Sequence, residues 1–188
     1  TRTFKGKLVD TLEKVCNALD VDLIILEPKT NSIKDEVYLG KTSGKIVKRT
    51  QIPALIVPEG YVYKPIVKIL LALKSAIIKK DNALNPLIAI KNQFKAVTNI
   101  LLVRTPFHIE GDFELNDQLT EMITNKTVAD SPTTFQAVLE HYRKHSPDML
   151  CVVRRKRGFF NKLWEDDVIL KKDFHSSKIP VLVLSGLK

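Results

Sequence analysis

The sequence predicts a doubly wound α/β protein with a mostly parallel sheet, and three observations predict it. Apolar, β-branched runs such as Ile66 to Leu73 recur along the 188 residues. Amphipathic stretches with helical spacing alternate with them. Strands that are apolar on both faces and interleaved with helices indicate a parallel sheet covered on each side. The third observation is an internal repeat. Asp22 leads Leu23-Ile24-Ile25-Leu26, and Ile52-Pro53-Ala54-Leu55-Ile56-Val57 follows, with Pro53 31 positions after the aspartate (53 − 22). Asp148 leads Met149-Leu150-Cys151-Val152-Val153, and Ile179-Pro180-Val181-Leu182-Val183-Leu184 follows, with Pro180 32 positions on (180 − 148). Such a repeat fixes the architecture before single elements are assigned. It divides the chain into a first unit, residues 1–60, and a second, residues 61–188, with Pro58-Glu59-Gly60 supplying turn chemistry between them.

Each element has its own signal. Leu8, Leu12, Val15 and Leu19 are spaced for a helix over residues 7–19, which feeds a strand over 23–26. Residues 31–38 are polar and read as a loop. Gly40-Lys41-Thr42 opens a second helix with Ile46 and Val47 on its inner face, ahead of the Pro53 strand. In the second unit, 67–73 reads as a strand. Residues 75–94 read as a helix made irregular by Asn85-Pro86, because proline removes a backbone donor. A strand over 99–104, a short helix over 113–123 and a short strand around 127–129 come next. Ser131 is the expected N-cap and Pro132 the first residue of a helix reaching Lys144. A strand over 149–154, a helix over 162–174 and a strand over 181–184 complete a β-α-β-α-β-α-β-α-β unit. The first unit holds only the last helix-strand-helix-strand of that pattern. The sequence therefore reads as a tandem protein whose first domain is truncated.

Composition narrows the function classes. No apolar run approaches the roughly 18 residues of a membrane span, and no cleavable signal pattern is present. Cys16 and Cys151 lack metal or redox spacing and stand where a small apolar residue would serve, so both read as reduced structural thiols of a cytoplasmic protein. The formal net charge is +9. Residues 1–60 carry 10 Lys and Arg against 8 Asp and Glu, whereas 61–188 carry 20 against 13, so the excess lies in the second unit.

The order aspartate, apolar strand, variable loop, helix, Ile-Pro and terminal apolar strand resembles the C-terminal signature of the universal stress protein family. The resemblance covers the whole second unit and the surviving half of the first. It implies a flavodoxin-like five-stranded sheet of order 3-2-1-4-5, a cytoplasmic stress-survival role, and pairing of units, as a homo-dimer or pseudo-dimer, through their last strands. Many members bind ATP through a Gly-x2-Gly-x9-Gly-Ser/Thr loop after the fourth strand, together with an aspartate ending the first. Glycines let backbone amides approach phosphate at a helix N-terminus. The equivalent positions here are Glu27, Thr30, Gly40 and Lys41 in the first unit, where one glycine survives. In the second they are Val153, Lys156, Asp166 and Asp167, where none does, and Lys74 stands at the family's aspartate. Asp166 and Asp167 would repel a triphosphate from the place it would occupy. The resemblance thus implies a degenerate nucleotide site and no bound cofactor, unless an intact first domain takes ATP around Gly40 and Lys41.

Other signals are weaker. Gly40-Lys41-Thr42-Ser43-Gly44-Lys45 fails as a P-loop, because three residues separate its glycines where four are required and Ile46 replaces the required hydroxyl. His141 and His145 share a helix face but lack a third ligand nearby in sequence, so no metal site is assigned. No nucleophile-base arrangement supports catalysis, and the chain is read as a non-enzyme. Arg154, Arg155, Lys156 and Arg157, followed by Phe159-Phe160, offer the cations and aromatics that grip phosphates and bases. The plainer reading, a solvated loop at the end of a strand, is favoured. Nucleic acid is therefore not the expected partner, and the function expected is stress response through contacts with a protein or a small anion.

Overall fold

Runs in which every residue is apolar become strands buried on both faces, and residues 69–73 and 149–153 are the clearest cases. The computed structural model describes residues 3–27, 40–80, 82–154 and 179–186. In chain order they form α1 (Leu8–Ala18), β1 (Ile24–Leu26), α2 (Gly40–Arg49), β2 (Ala54–Ile56), β3 (Lys68–Leu73) and α3 (Asn85–Phe94). These are followed by β4 (Val97–Arg104), α4 (Asp117–Met122), β5 (Asn125–Asp130), α5 (Thr134–His145), β6 (Met149–Arg154) and β7 (Val181–Ser185). The helix expected over 162–174 lies outside the described residues.

The seven strands among the described residues belong to one sheet of order β1-β2-β7-β6-β3-β4-β5. Every pairing is parallel except β2 with β7, which is antiparallel. The five-stranded sheet expected of the second unit is corrected here to part of a seven-stranded one. The five strands from Lys68 onward are neighbours in the order β5-β4-β3-β6-β7, but the sheet does not stop at β7, because β2 adds to that strand's free edge. Side chains alternate between two cores, as a period of two requires. Leu70, Ala72, Leu150, Val152, Val181 and Val183 face α5 and Val47 of α2. Ile69, Leu71, Met149, Cys151 and Leu182 face the layer of α3 and α4, through Leu84, Leu87, Leu119 and Met122.

The repeat is visible in the backbone. Ile24 N donates to Pro53 O at 3.0 Å in the first unit, and Leu150 N to Pro180 O at 3.1 Å in the second. Leu55 and Leu182, each two residues past its proline, are directly paired across β2 and β7. They are flanked by Ala54 with Val183 and Ile56 with Val181, so the register is that of a local twofold axis.

Three local expectations are corrected. Residues 75–80 and 82–84 are not helical. Pro86 sits in the first turn of α3, where its missing N–H costs nothing, so it starts the helix instead of disturbing one. The N-cap of α5 is Thr133, whose side chain accepts the Gln136 amide at 3.2 Å, and not Ser131. The short helix is confined to α4, because Asn116 caps it by accepting from Leu119 N at 2.9 Å.

Asp148 fastens the start of the second unit's sheet. Its Oδ2 accepts Lys68 N at 2.9 Å and Val67 N at 3.1 Å, and Oδ1 lies 3.0 Å from Lys64 Nζ. Burial pushes its carboxyl pKa up, but the bonds from Lys68, Lys64 and Val67 outweigh burial and hold it below the ordinary value. A depressed folded pKa means the stabilisation is present above the unfolded value of about 3.9 and is lost as pH falls through the lower folded value. Asp148→Ala is therefore expected to cost about 1–3 kcal/mol at pH 7. Urea unfolding at neutral pH and again well below the carboxylate range should show that difference and then its collapse.

Candidate functional site

In doubly wound sheets the ligand crevice lies beyond the carboxyl ends of the strands, where the strand order reverses. Here that point lies between β3 and β6. After Leu73 the chain passes through half-buried Lys74 to buried Ser75, whose Oγ accepts Ile77 N at 3.3 Å. Ala76 N donates to Asp112 O at 2.6 Å, tying this exit to the loop after β4. Within that loop the buried Asp112 accepts Ile109 N at 3.0 Å through Oδ2, which also lies 3.6 Å from His108 Nδ1. The His108 ring stacks obliquely on Phe113 at 4.3 Å, and the Arg104 guanidinium lies over the Phe113 ring, 5.8 Å from its centroid. The spacing of four between His108 and Asp112 was the available signal.

At the end of β6 the structure departs from the expected solvated basic run. Arg154 is only 5% exposed. Its Nη1 donates to Val47 O of α2 at 2.6 Å, while Nη2 is buried with no hydrogen-bond partner among the described residues. Burial pushes the guanidinium pKa down and Glu13 partly offsets it. Val47 offers one of the last carbonyls of α2, so the cation sits at the negative end of that helix. Parity explains the placement: Leu150, Val152 and Arg154 share the strand face that packs under the helix layer. The remaining basic residues, Arg155, Lys156 and Arg157, lie outside the described residues.

The same seam holds one further bond between the units and others that brace it from within each. Ser185 Oγ donates to Gln51 Oε1 at 2.9 Å, and Gln51 N donates to Glu13 Oε1 at 3.3 Å. Gly186 N donates to Arg154 O at 3.2 Å, and a side chain at Gly186 would run into Val153 Cγ1.

Of the predicted loop residues, Lys74 and Val153 lie at the neighbouring ends of the paired strands β3 and β6. Glu27 is exposed just past β1, Lys74 follows β3, and Val153 is buried in β6. Gly40 and Lys41 form the first two backbone positions of α2, and their surroundings are not described. Thr30, Lys156, Asp166 and Asp167 lie outside the described residues. A cleft of about 650 Å³ instead lies between the units, with walls that include Asp22, Gln51, Lys80, Asn85 and Ser185. Glu27, Lys74 and Val153 do not line it. His141 and His145 stack at 4.1 Å on α5, and the His141 pKa is pushed down by burial, by His145 and by Lys144. Among the described residues no group of three or more His, Cys, Asp or Glu could hold a metal. Both cysteines are free and buried, and burial pushes each thiol pKa up. Among the described residues no helix is long and apolar enough to cross a membrane.

No protein-family model and no curated protein matches the sequence. Solved structures do match. A universal stress protein from Archaeoglobus fulgidus DSM 4304 superimposes with a TM-score of 0.63 over 94% of this chain, at 16% identity. The fold is that of universal stress proteins. This chain spans 64% of the length of that protein. A functionally unknown protein from Pseudomonas aeruginosa PAO1 matches with a TM-score of 0.58 at 14% identity, over 96% of this chain and 69% of its own. A protein from Pseudomonas aeruginosa UCBPP-PA14, provisionally assigned as a universal stress protein, matches with a TM-score of 0.58 at 15% identity and the same coverage.

The buried Arg154 leads to a specific expectation. Arg154→Ala removes its packing and leaves the Val47 carbonyl without this donor, and should cost about 2–4 kcal/mol. Arg154→Met refills the volume and should recover at least half of that loss. Urea unfolding of both variants checks this, and a solvated Arg154 would give changes within about 0.5 kcal/mol.

Proposed function

We propose that this chain is a non-catalytic stress-response protein of the universal stress type, cytoplasmic, with a degenerate nucleotide site. It acts through contacts with a protein or a small ligand. The observation that carries the reading is the chemistry at the switch point. Lys74 stands where the resemblance calls for a carboxylate, and Arg154 is turned away into the Val47 carbonyl. Neither arrangement supports a triphosphate cradle, and the sequence lacks the glycines that would admit backbone amides to phosphate. Asp166 and Asp167 add charge of the wrong sign in the same loop.

The domain division at residue 60 and the pseudo-dimer reading of the β2–β7 contact belong to this proposal. In it, the edge that would otherwise pair with a second protomer is already occupied within the chain. The alternative of nucleic-acid binding through Arg154, Arg155, Lys156 and Arg157 is weakened, because the first of these cations is withdrawn from solvent. An ATP site in a completed first domain around Gly40 and Lys41 is the remaining alternative. No observation in the described residues favours it.

A ligand that binds only the folded state raises the melting temperature. Millimolar ATP with magnesium is therefore expected to leave the melting temperature of the chain unchanged in a thermal-shift titration. A concentration-dependent rise of several degrees would overturn the degenerate-site reading.

A further inference from the structure

The cleft between the units has a volume of about 650 Å³. Small-molecule sites span about 300–1,000 Å³ and are commonly found at junctions of this kind. Its two walls come from different units. Leu23, Ile52 and Pro53 give the first unit's wall an apolar surface, and Pro86, Ala89 and Ile90 do the same for the second unit's wall. The cleft lies at the entrances of β1 and β2, where Asp22 and Pro53 stand, whereas the nucleotide loops implied by the resemblance follow strand ends.

Polar groups of fixed character stand among these apolar surfaces. Asp22 and Gln51 belong to the first unit's wall, and Lys80 with the carboxamides of Asn82 and Asn85 to the second unit's. Asp22 and Lys80 thus bring opposite charges to opposite walls, and among the described residues no ion pair joins them or ties either to another group. The repeat shows what an aspartate at the Asp22 position accepts. Its counterpart Asp148 takes two backbone amides and an ammonium, with Oδ1 3.0 Å from Lys64 Nζ. Gln51 is already positioned. Its Oε1 accepts the hydroxyl of Ser185, which is 3% exposed, at 2.9 Å, and its backbone N donates to Glu13. The carboxamide oxygen is therefore engaged, while the Nε2 donors remain uncommitted among the described residues, and a donor fixed beforehand lowers the ordering cost of binding.

We propose that this cleft binds a small zwitterion with an apolar body, of the class of a dipeptide with both termini free. The ammonium sits at Asp22, as Lys64 sits at Asp148, and the carboxylate sits at Lys80 with the Asn82 and Asn85 carboxamides as further donors. The apolar side chains lie between Leu23, Ile52 and Pro53 on one side and Ala89 and Ile90 on the other. A ligand carrying both charges satisfies both walls, whereas a purely anionic one meets Asp22 and a purely cationic one meets Lys80. A carboxylate suits the second wall better than a phosphate, because that wall offers one lysine and neutral carboxamides but no guanidinium. The proposal rests on the small-ligand branch of the proposed function and is independent of the nucleotide loops, so its failure would leave the degenerate-site reading standing.

The test uses the whole chain with leucyl-leucine as the probe, followed by calorimetry and by amide NMR shifts. Saturable binding is expected, with shifts at Leu23, Ile52, Ala89 and Ile90 and none in β5. N-acetylation or C-terminal amidation of the probe, each removing one charge, should weaken binding by about tenfold or more, the scale of losing a hydrogen bond to a charged group. Asp22→Asn should weaken the free dipeptide by about tenfold and leave the N-acetylated form unaffected. Lys80→Gln should weaken the free dipeptide in the same way and leave the amidated form unaffected. Both substitutions change side chains that water reaches, so the melting temperature of the free chain should not move. ATP added to the loaded chain should not displace the dipeptide. No saturable binding, full-strength binding of a dipeptide blocked at both ends, or displacement by ATP would overturn the proposal. So would variants that weaken the free and blocked forms equally, because the charges would then not be read where the cleft places them.

Discussion

The antiparallel pairing of β2 with β7 is the constraint on which the rest of the structure depends. Each unit ends in a short apolar strand entered through Ile-Pro, and each such strand leaves one row of backbone groups without a partner. Two equivalent edges can satisfy each other only in antiparallel register about a twofold axis, and the facing of Leu55 by Leu182 meets that condition. Proline at the strand entrance is compatible with this, since it precedes the paired residues and its missing N–H removes no bond from the ladder. Once the two edges meet, seven strands share one sheet. The α2 layer of one unit then comes close enough for Arg154 of the other to reach Val47.

That junction explains why a cation at the end of β6 is buried. A guanidinium taken out of water with its Nη2 unpaired among the described residues is costly, and the carbonyl end of α2 with Glu13 nearby offsets part of the cost. Ser185, Gln51 and Glu13 continue the polar seam across the units. The seam and the apolar β2–β7 pairing fix the relation between units by different means. The first is directional and the second is driven by burial. Asp148 does comparable work at the other end of the sheet, where one carboxylate sets the register of β3 against β6 by accepting two successive amides.

Much of this was legible in the sequence, because the repeat encodes pairing. Two Ile-Pro strands at matched spacing announce two equivalent edges, and their antiparallel meeting follows from sheet chemistry alone. The buried strands were legible from unbroken apolar runs. Features decided by tertiary contacts were not. The 75–84 segment has helical composition, but Ala76 is held by Asp112 from a neighbouring loop, and Pro86 begins a helix of its own. Thr133 displaced Ser131 as the cap because it is Thr133 whose hydroxyl reaches the Gln136 amide. Arg154 looked like the first of four solvated cations. Only strand parity separated it from its neighbours, and that signal is weak for a residue at the very end of a strand. At the candidate site the sequence identified what the loop lacks, while the cleft between the units needed both units in place.

The most direct measurement of the central claim is residue-resolved amide hydrogen exchange across the β2–β7 seam. If the two terminal strands form one cooperative ladder, Ala54, Leu55 and Ile56 will exchange with the slow class of Val181, Leu182 and Val183, and both groups will respond together to added denaturant. Free exchange at residues 54–56, with residues 181–183 still protected, would contradict the account, because the units would then be linked by chain alone and not by a shared sheet.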